Sequence, residues 1–599
     1  MQNMVLQNQD IKIDHASTKS VLEELFGLTG QGQPFEVIDK VREDINYQAF
    51  AILPENLKAM FKASADTYGD ADFIIFKDER HSFQGLYQQA SELACALVEQ
   101  YQISAGDRVT ISMRNYPEWI VAFMAITSIG AIAVPLNAWW TQDEFAQVIG
   151  HCDATLAIVD DKRYDLLSSC LVEHNTPVII ARPSSEQSTT LRANVESFEA
   201  LLAKYEGQVM PNVVVGSDAI ATIFYTSGST GSPKGAVSSH ESILTAINTW
   251  VMLGASATAA NSKQNIKQPV NAPVALMTVP LFHVTGCHTL FLLSMIIGRK
   301  TIMMPYWEPE EALRLIEKEK ITYFNGVPTM SMELMNHPNK SQYDLSSLND
   351  ICAGGAARPP EHVRKIHDSF KSGNPSCGYG LTETNALGAV NGAVDYVQKP
   401  SSAGLPTPPI VEVKILDEAG NSLAVGEQGE IVIKTMANIL GYWRNPQATE
   451  AAFTDGYFRT GDLGYLDNDG FIYIVDRAKD IIIRGGENIS CLEVEASLYK
   501  HALVSEVSVF ALPDERLGEV VGAVVYVDNT LADITSEAAN SIEVKSEEIS
   551  ETILQAFVAE HLAKFKVPSK VWIINENLPR LGSGKIDKRT LKETYITLS

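Results

Sequence analysis

The chain has 599 residues, with 73 acidic against 47 basic side chains and a net charge of −26 at pH 7. That length is too great for one core and predicts two to four domains or subdomains. The acidity excludes nucleic acid as a partner, because no basic face exists to neutralise phosphates, and it disfavours simple electrostatic docking on an anionic membrane.

After a polar, irregular N-terminal stretch of about fifty residues, helical periodicity begins at Leu57 to Tyr68. A short strand at Phe73 to Phe76 and an amphipathic helix at Phe83 to Tyr101 follow. Strands at Asp107 to Ser112, Ala131 to Leu136 and Leu156 to Val159 alternate with helices at Trp119 to Ile129 and up to Gly150. That alternation implies parallel βαβ units. The pattern returns with a strand at 219–224, a helix from Ser239 to Met252, a strand at Val274 to Val279 and a helix from Gly286, so two similar α/β layers are expected. Leu281 to Gly298 is the most membrane-like segment, but it carries His283, Gly286 and His288 and reads as a buried core helix. Strand-like alternation at Val411 to Leu416, Gly429 to Lys434 and Phe471 to Val475 predicts a β-rich subdomain. Beyond Arg477 a small α/β unit follows, with helices at 491–500 and 550–563. Ala255 to Asn271 and Asp528 to Glu548 lack a core pattern and read as exposed insertions.

The seven cysteines are odd in number, scattered and without a C-x-x-C pair, which suggests reduced thiols and no zinc site. The N-terminus lacks a basic region followed by an apolar core, so it is not a secretory signal. A cytoplasmic protein is expected.

The most informative stretch is Tyr225-Thr226-Ser227-Gly228-Ser229-Thr230-Gly231-Ser232-Pro233-Lys234-Gly235. A loop of Gly, Ser and Thr behind a buried strand offers backbone N–H groups and hydroxyls to an anion, and Lys234 adds charge. It fits neither G-x-x-x-x-G-K-[ST] nor G-x-G-x-x-G. A second element is Gly378-Tyr379-Gly380-Leu381-Thr382-Glu383-Thr384. Its glycines leave the Tyr379 ring free to lie against an adenine, Thr382 offers a hydroxyl to phosphate, and Glu383 is a hard oxygen ligand suited to Mg2+. Taken alone, it could equally be a capped Gly-rich turn. The remaining elements are Pro280-Leu281-Phe282-His283-Val284-Thr285-Gly286, Phe324 to Thr329, Ala353-Gly354-Gly355-Ala356, Thr460-Gly461-Asp462, Asp476-Arg477-Ala478-Lys479-Asp480, Gly485-Gly486-Glu487, and Pro579-Arg580 through Gly584-Lys585-Ile586 to Arg589.

Together, and in this order, these segments resemble the signatures of the adenylate-forming superfamily, in its acyl-CoA synthetase branch, over roughly residues 50–590. The resemblance implies an α/β fold: a large N-terminal domain of two stacked α/β layers plus a β-rich subdomain, with a small mobile C-terminal domain. It places an extension at 1–50, the large domain at 51–476, a hinge at 477–480 and the small domain at 481–599. ATP, Mg2+ and coenzyme A are the implied ligands, with a carboxylic acid as substrate. Lys585 takes the catalytic-lysine position, with Thr226, Glu383 and His283 beside it; His283 could equally be a satisfied structural histidine. The loop from Thr226 to Lys234 holds phosphates, Gly354, Gly355 and Ala356 edge the adenine, and Asp462 and Arg477 meet the ribose. Lys479 is the pivot, and Gly485, Gly486 and Glu487 border the pantetheine path. Val327, Gly354, Gly378, Gly380 and Leu387, with His283, form the acyl pocket, whose small or apolar character suits a medium- or long-chain fatty acid. An aryl acid, or an acyl-adenylate passed to a carrier protein, is the alternative. A homodimer and peripheral membrane contact are compatible with this reading.

Overall fold

The computed structural model describes residues 16–184, 194–226, 233–266, 272–370, 372–527, 549–581 and 584–597. The insertion at 528–548 lies outside the described residues.

Two sheets form the large domain. In the first, parallel strands Ile132–Pro135, Arg108–Ser112, Leu156–Asp160 and Val178–Ala181 lie side by side, and Ile220–Thr226 joins them beside Ile132–Pro135. Lys234–Ser239 then returns antiparallel to Ile220–Thr226. In the second, Asp72–Phe76, Lys300–Met303, Val274–Met277, Tyr323–Gly326, Asp350–Gly354 and Asn374–Gly380 run parallel in that spatial order. The first strand of the second sheet is therefore donated from early in the chain, ahead of the first sheet.

One large apolar core lies between the sheets and holds the helices Leu57–Tyr68, Phe83–Glu99 and Pro117–Ser128. Every residue of Pro117–Ser128 except Glu118 is buried, which is why it shows no polar face. Phe291 sits at its centre, with the rings of Phe61, Phe73, Trp119 and Phe123 within 6.4 Å. The segment read as a buried core helix is one. Thr285–Leu292 is wound as a π-helix that passes into the α-helix Leu293–Ile297. Wide turns of this kind cluster at functional sites. Gly286 is obligatory here, because a Cβ would lie 2.2 Å from the Pro280 carbonyl oxygen.

Two expectations fail together, for one reason. Residues 16–50 are not irregular: they form the helix Thr18–Thr29 and a hairpin of Val37–Arg42 and Ile45–Phe50. Nor does an exposed loop begin at Ala255, since the helix capped by Ser239 continues from His240 to Lys263. The two helices pack on each other. Asn261 Oδ1 accepts from the Ala16 N–H at 2.7 Å, and Ser256 Oγ donates to the Val21 carbonyl. Leu22 and Leu25 of the first helix share an apolar cluster with Ala246 and Met252 of the second, and beyond Met252 the small residues Ser256, Ala260 and Asn261 continue the buried face with little apolar signal. His240–Lys263 is also the one helix among the described residues long and apolar enough to cross a membrane; half of its most apolar window is buried against protein.

The β-rich subdomain is the expected one, built on Glu412–Leu416, Gly429–Lys434, Tyr457–Leu466 and Ile472–Arg477. After Arg477 the small unit has its own core, under a sheet of Ile482–Arg484, Glu487–Ile489, Val504–Asp514, Gly518–Val527 and Lys570–Ile574.

Candidate functional site

Strands Asp350–Gly354 and Asn374–Gly380 set Gly354 opposite Gly378 at their C-terminal ends, where ligands enter open parallel sheets. A Cβ at Gly378 would meet nothing within 4 Å, and one at Gly354 would meet only the Gly378 carbonyl at 3.8 Å and the Thr285 methyl at 4.0 Å. The two glycines thus form a bare wall beside an open space.

The next residue, Tyr379, donates its hydroxyl to Asp462 Oδ2 at 2.7 Å. Arg477 Nε meets Asp462 Oδ1 at 2.8 Å. The antiparallel register of Tyr457–Leu466 on Ile472–Arg477 places Asp462 directly across from Arg477. Burial raises the Asp462 carboxyl above the ordinary range; the Arg477 charge and the Tyr379 hydroxyl pull it back. One carboxylate therefore joins the second sheet, the β-rich subdomain and the last residue before the small unit.

Thr226 ends its strand opposite Lys234, and its hydroxyl reaches the Lys234 carbonyl at 3.5 Å. Ser227, Gly228, Ser229, Thr230 and Gly231 lie outside the described residues. Lys234 Nζ stands 5.3 Å from the centre of the Tyr442 ring, and the Tyr442 hydroxyl donates to Glu383 Oε1 at 3.0 Å. Burial is the main force on Glu383 and raises its carboxyl. No ion pair reaches Glu383 among the described residues. A deep carboxylate with one hydroxyl partner suits a hard cation, and no group of three or more metal-binding side chains surrounds it among the described residues. Mg2+ commonly binds in this way, through one carboxylate with substrate phosphates and water completing its shell. Asn385 braces the turn: its amide donates to the Ala437 carbonyl at 2.7 Å, and its oxygen accepts from Ser238 at 3.0 Å.

The small unit delivers Lys585 to this place. A Cβ on Gly355 would lie 3.1 Å from Lys585 Cε and 3.2 Å from Nζ, so the bare glycine admits the side chain. Burial, helped by the Arg477 charge and opposed by Asp462, lowers Lys585 to about 8. His283 is enclosed nearby. Burial, with the charge of Lys585, brings it down to about 3, and its Nε2 has no hydrogen-bond partner among the described residues. It is a neutral imidazole at pH 7, able to hydrogen-bond but a poor base. Val327 lies under the same loop, its methyl 3.2 Å from where a Gly584 Cβ would be.

Arg580 clamps the loop across the two units. Its guanidinium donates to Thr329 Oγ1 at 2.5 Å and to Glu333 at 3.1 Å on the large domain, and to Glu506 on its own. A ring contact of His362 with Tyr499, at 5.2 Å, supports the same face.

Other expected site residues stand apart. Gly485 and Gly486 form a two-residue turn with φ of +60° and +91°, as a tight hairpin of this hand requires, and with Glu487 they are exposed. Lys479 is exposed. Ala356 is exposed at the lip, and Thr382 begins the turn that carries Glu383. One pocket assignment is corrected. Leu387 is 1% exposed and packs in the core with Ile431 and Ile433. Gly380 is half-exposed and faces the Ala386 carbonyl, 2.5 Å from a would-be Cβ, so only glycine fits there. Tyr442, Asn385 and the partners of Arg580 had no local signal in the sequence, since each acts on an element far along the chain.

Comparison with known proteins agrees with this geometry. The profile of the AMP-binding enzyme family matches residues 61–443, and that of the AMP-binding enzyme C-terminal domain matches 493–585. The chain is 31% identical over 560 residues to a long-chain-fatty-acid–CoA ligase of Bacillus subtilis, covering 90% of this chain and 94% of that one. It is 31% identical over 526 residues to a 2-succinylbenzoate–CoA ligase of Bacillus velezensis, covering 87% and 94%. The crystal structure of ATP-bound MatB from Rhodopseudomonas palustris superposes with a TM-score of 0.75 at 26% identity, over 91% of this chain and 100% of that one.

If Arg580 holds the small unit in place, Arg580→Ala should loosen it. Trypsin should then cut the exposed Arg477–Lys479 link several times faster than in the wild type, with the melting temperature of the large domain unchanged. An unaltered cleavage rate would show that the clamp does not hold the unit.

Proposed function

The chain belongs to the AMP-binding enzyme family, within the acyl-CoA ligase branch of the adenylate-forming superfamily, and from that premise we propose how its site works and what acid it takes. It is an AMP-forming acid–thiol ligase. A carboxylate attacks the α-phosphate of ATP and expels pyrophosphate; the thiol of coenzyme A then attacks the acyl carbon and expels AMP.

The observation that carries the assignment of roles is the arrival of Lys585 at Gly355, beside the Tyr379–Asp462–Arg477 cluster. In this reading the Tyr379 ring lies against adenine while its hydroxyl fixes Asp462, which receives the ribose hydroxyls. The loop from Thr226 to Lys234 holds the departing pyrophosphate. Lys585 places its charge between the acid and the α-phosphate, where negative charge grows in the transition state. His283, neutral and lacking a partner on Nε2, hydrogen-bonds at the pocket mouth. Mg2+ at Glu383 would offset phosphate charge. The exposed Gly485–Gly486–Glu487 hairpin cannot serve the site from its present place. The small unit therefore turns about 477–480, with Lys479 as pivot, to present it for thioester formation.

The acid we favour has an extended tail. Thr285 and Thr289 are half-buried on one helix, and the Thr285 methyl lies 4.0 Å from where a Gly354 Cβ would be, beside the bare Gly354–Gly378 wall. A tail can run along that wall, as in a medium- or long-chain fatty acid. An aryl acid is the second reading, favoured by the match to a succinylbenzoate ligase.

Pyrophosphate release measured with straight-chain and aryl acids, with and without coenzyme A, tests the assignment. Straight-chain acids should give the higher kcat/KM, and AMP should leave only when coenzyme A is present. Pyrophosphate release with no AMP released on addition of coenzyme A would instead point to a carrier protein as acceptor.

The alkaline limb of kcat/KM for ATP should follow Lys585. Its charge is present below about 8 and lost above it, so the rate should fall tenfold per pH unit beyond that point. A profile flat to pH 10 would remove Lys585 from the charged step. Glu383→Gln should raise the Mg2+ concentration needed for half-maximal adenylation by about tenfold or more; an identical titration would take Glu383 out of the metal site.

A further inference from the structure

The joint between the two units carries contacts that the site itself does not use. In the strand Ile472–Arg477 consecutive side chains point to opposite faces. Arg477 turns to Asp462 on the nucleotide side. Asp476 turns the other way, toward the helix Cys491–Leu498 of the small unit, and is 2% exposed. Its Oδ1 accepts from the Arg477 N–H at 2.8 Å, and its Oδ2 accepts from the Leu492 N–H at 3.3 Å. The Ser490 hydroxyl is shared between Asp476 Oδ2, at 3.2 Å, and the Val475 carbonyl, at 2.7 Å.

The helix does not need Asp476 in order to begin. Ser490 is its own cap and accepts from the Glu493 N–H at 3.1 Å. Asp476 is a second cap supplied from across the hinge, with its negative charge at the positive end of the helix. Lys588, bonded to Glu495 at 2.7 Å, adds a positive charge to the same place. A carboxylate buried this deeply is costly unless its oxygens are met, and both partners of Oδ2 belong to the small unit.

Asp476 precedes the hinge at 477–480, while Ser490 and Leu492 follow it. Hydrogen bonds are directional, so a rotation that carries the Gly485–Gly486–Glu487 hairpin to the site turns these donors away from Oδ2. The contacts belong to the orientation that holds Lys585 beside Gly355. We infer that Asp476 is a positioning residue that latches the small unit in the adenylate-forming orientation and lets it go for thioester formation. This rests on the rotation proposed above and names what holds its first state.

The test uses the panel acid of highest kcat/KM and its synthetic acyl-adenylate. Single-turnover rates are measured for acyl-adenylate formation from ATP, and for thioester formation from the supplied adenylate and coenzyme A, in wild type, Asp476→Ala and Asp476→Asn. With the orientations in rapid exchange, the ratio of the second rate to the first follows their balance whichever of them predominates. Both rates come from one preparation, so a loss of folded enzyme cancels. In Asp476→Ala the ratio should rise about tenfold, the scale of a charge-assisted hydrogen bond. Asp476→Asn keeps a carbonyl oxygen without the charge and should rise less. A rise below about threefold in Asp476→Ala, or a fall, overturns the latch. Lys479→Pro separates the latch from the rotation beneath it, because proline fixes the backbone at the pivot. If Lys479→Pro shifts the ratio and Asp476→Ala does not, only the latch is overturned; if neither does, the rotation about Lys479 is overturned as well. A wild type that lacks either half-reaction overturns the ligase reading and the latch with it.

Discussion

The buried carboxylate of Asp462 is the constraint around which the rest is arranged. It has two charged or polar partners from different parts of the chain, Tyr379 and Arg477, and it senses a third, Lys585. A carboxylate in so enclosed a place is costly unless its lone pairs are met. The two contacts therefore fix the angle between the second sheet and the β-rich subdomain, and they fix the start of the segment leading to the small unit. Ligand recognition and domain geometry become one problem: a ribose that engages Asp462 acts on the same group that anchors the joint.

Lys585 shows the same coupling from the other side. Its low proton affinity arises from burial and from the Arg477 charge, and both exist only while the small unit is closed. An anionic ligand beside it would restore the charged form. The lysine thus has most to gain when nucleotide is present, so closure and binding favour each other by ordinary linkage.

Much of this was legible in the sequence, and what was not has a physical reason. The strands and helices that alternate in depth announce themselves, since each buries one face; Pro117–Ser128 and the Asp350–Gly354 strand are cases. Gly-rich turns were legible because their chemistry is local. Tyr442, which holds Glu383 from 59 residues away, was not, because nothing near it in the chain marks its partner. Leu387 was misplaced because an apolar residue lining a pocket and one filling a core look alike in sequence. The helix at 18–29 and the continuation of the helix past Met252 were missed because the buried Ser256, Ala260 and Asn261 carry little apolar signal of their own and are covered only once the two helices meet.

The face between the two units rests largely on polar contacts. Its principal contact is one guanidinium, Arg580, shared among Thr329, Glu333 and Glu506. Glu506 belongs to the same unit as Arg580, so in the rotation proposed above the arginine would keep one carboxylate. Glu333 in turn accepts from the Trp307 indole and keeps a partner too. An apolar interface of the same extent would hold the unit more firmly and expose its whole area to water on opening. Polar contacts that can be exchanged would keep an open and a closed state close in energy, as the rotation proposed above needs.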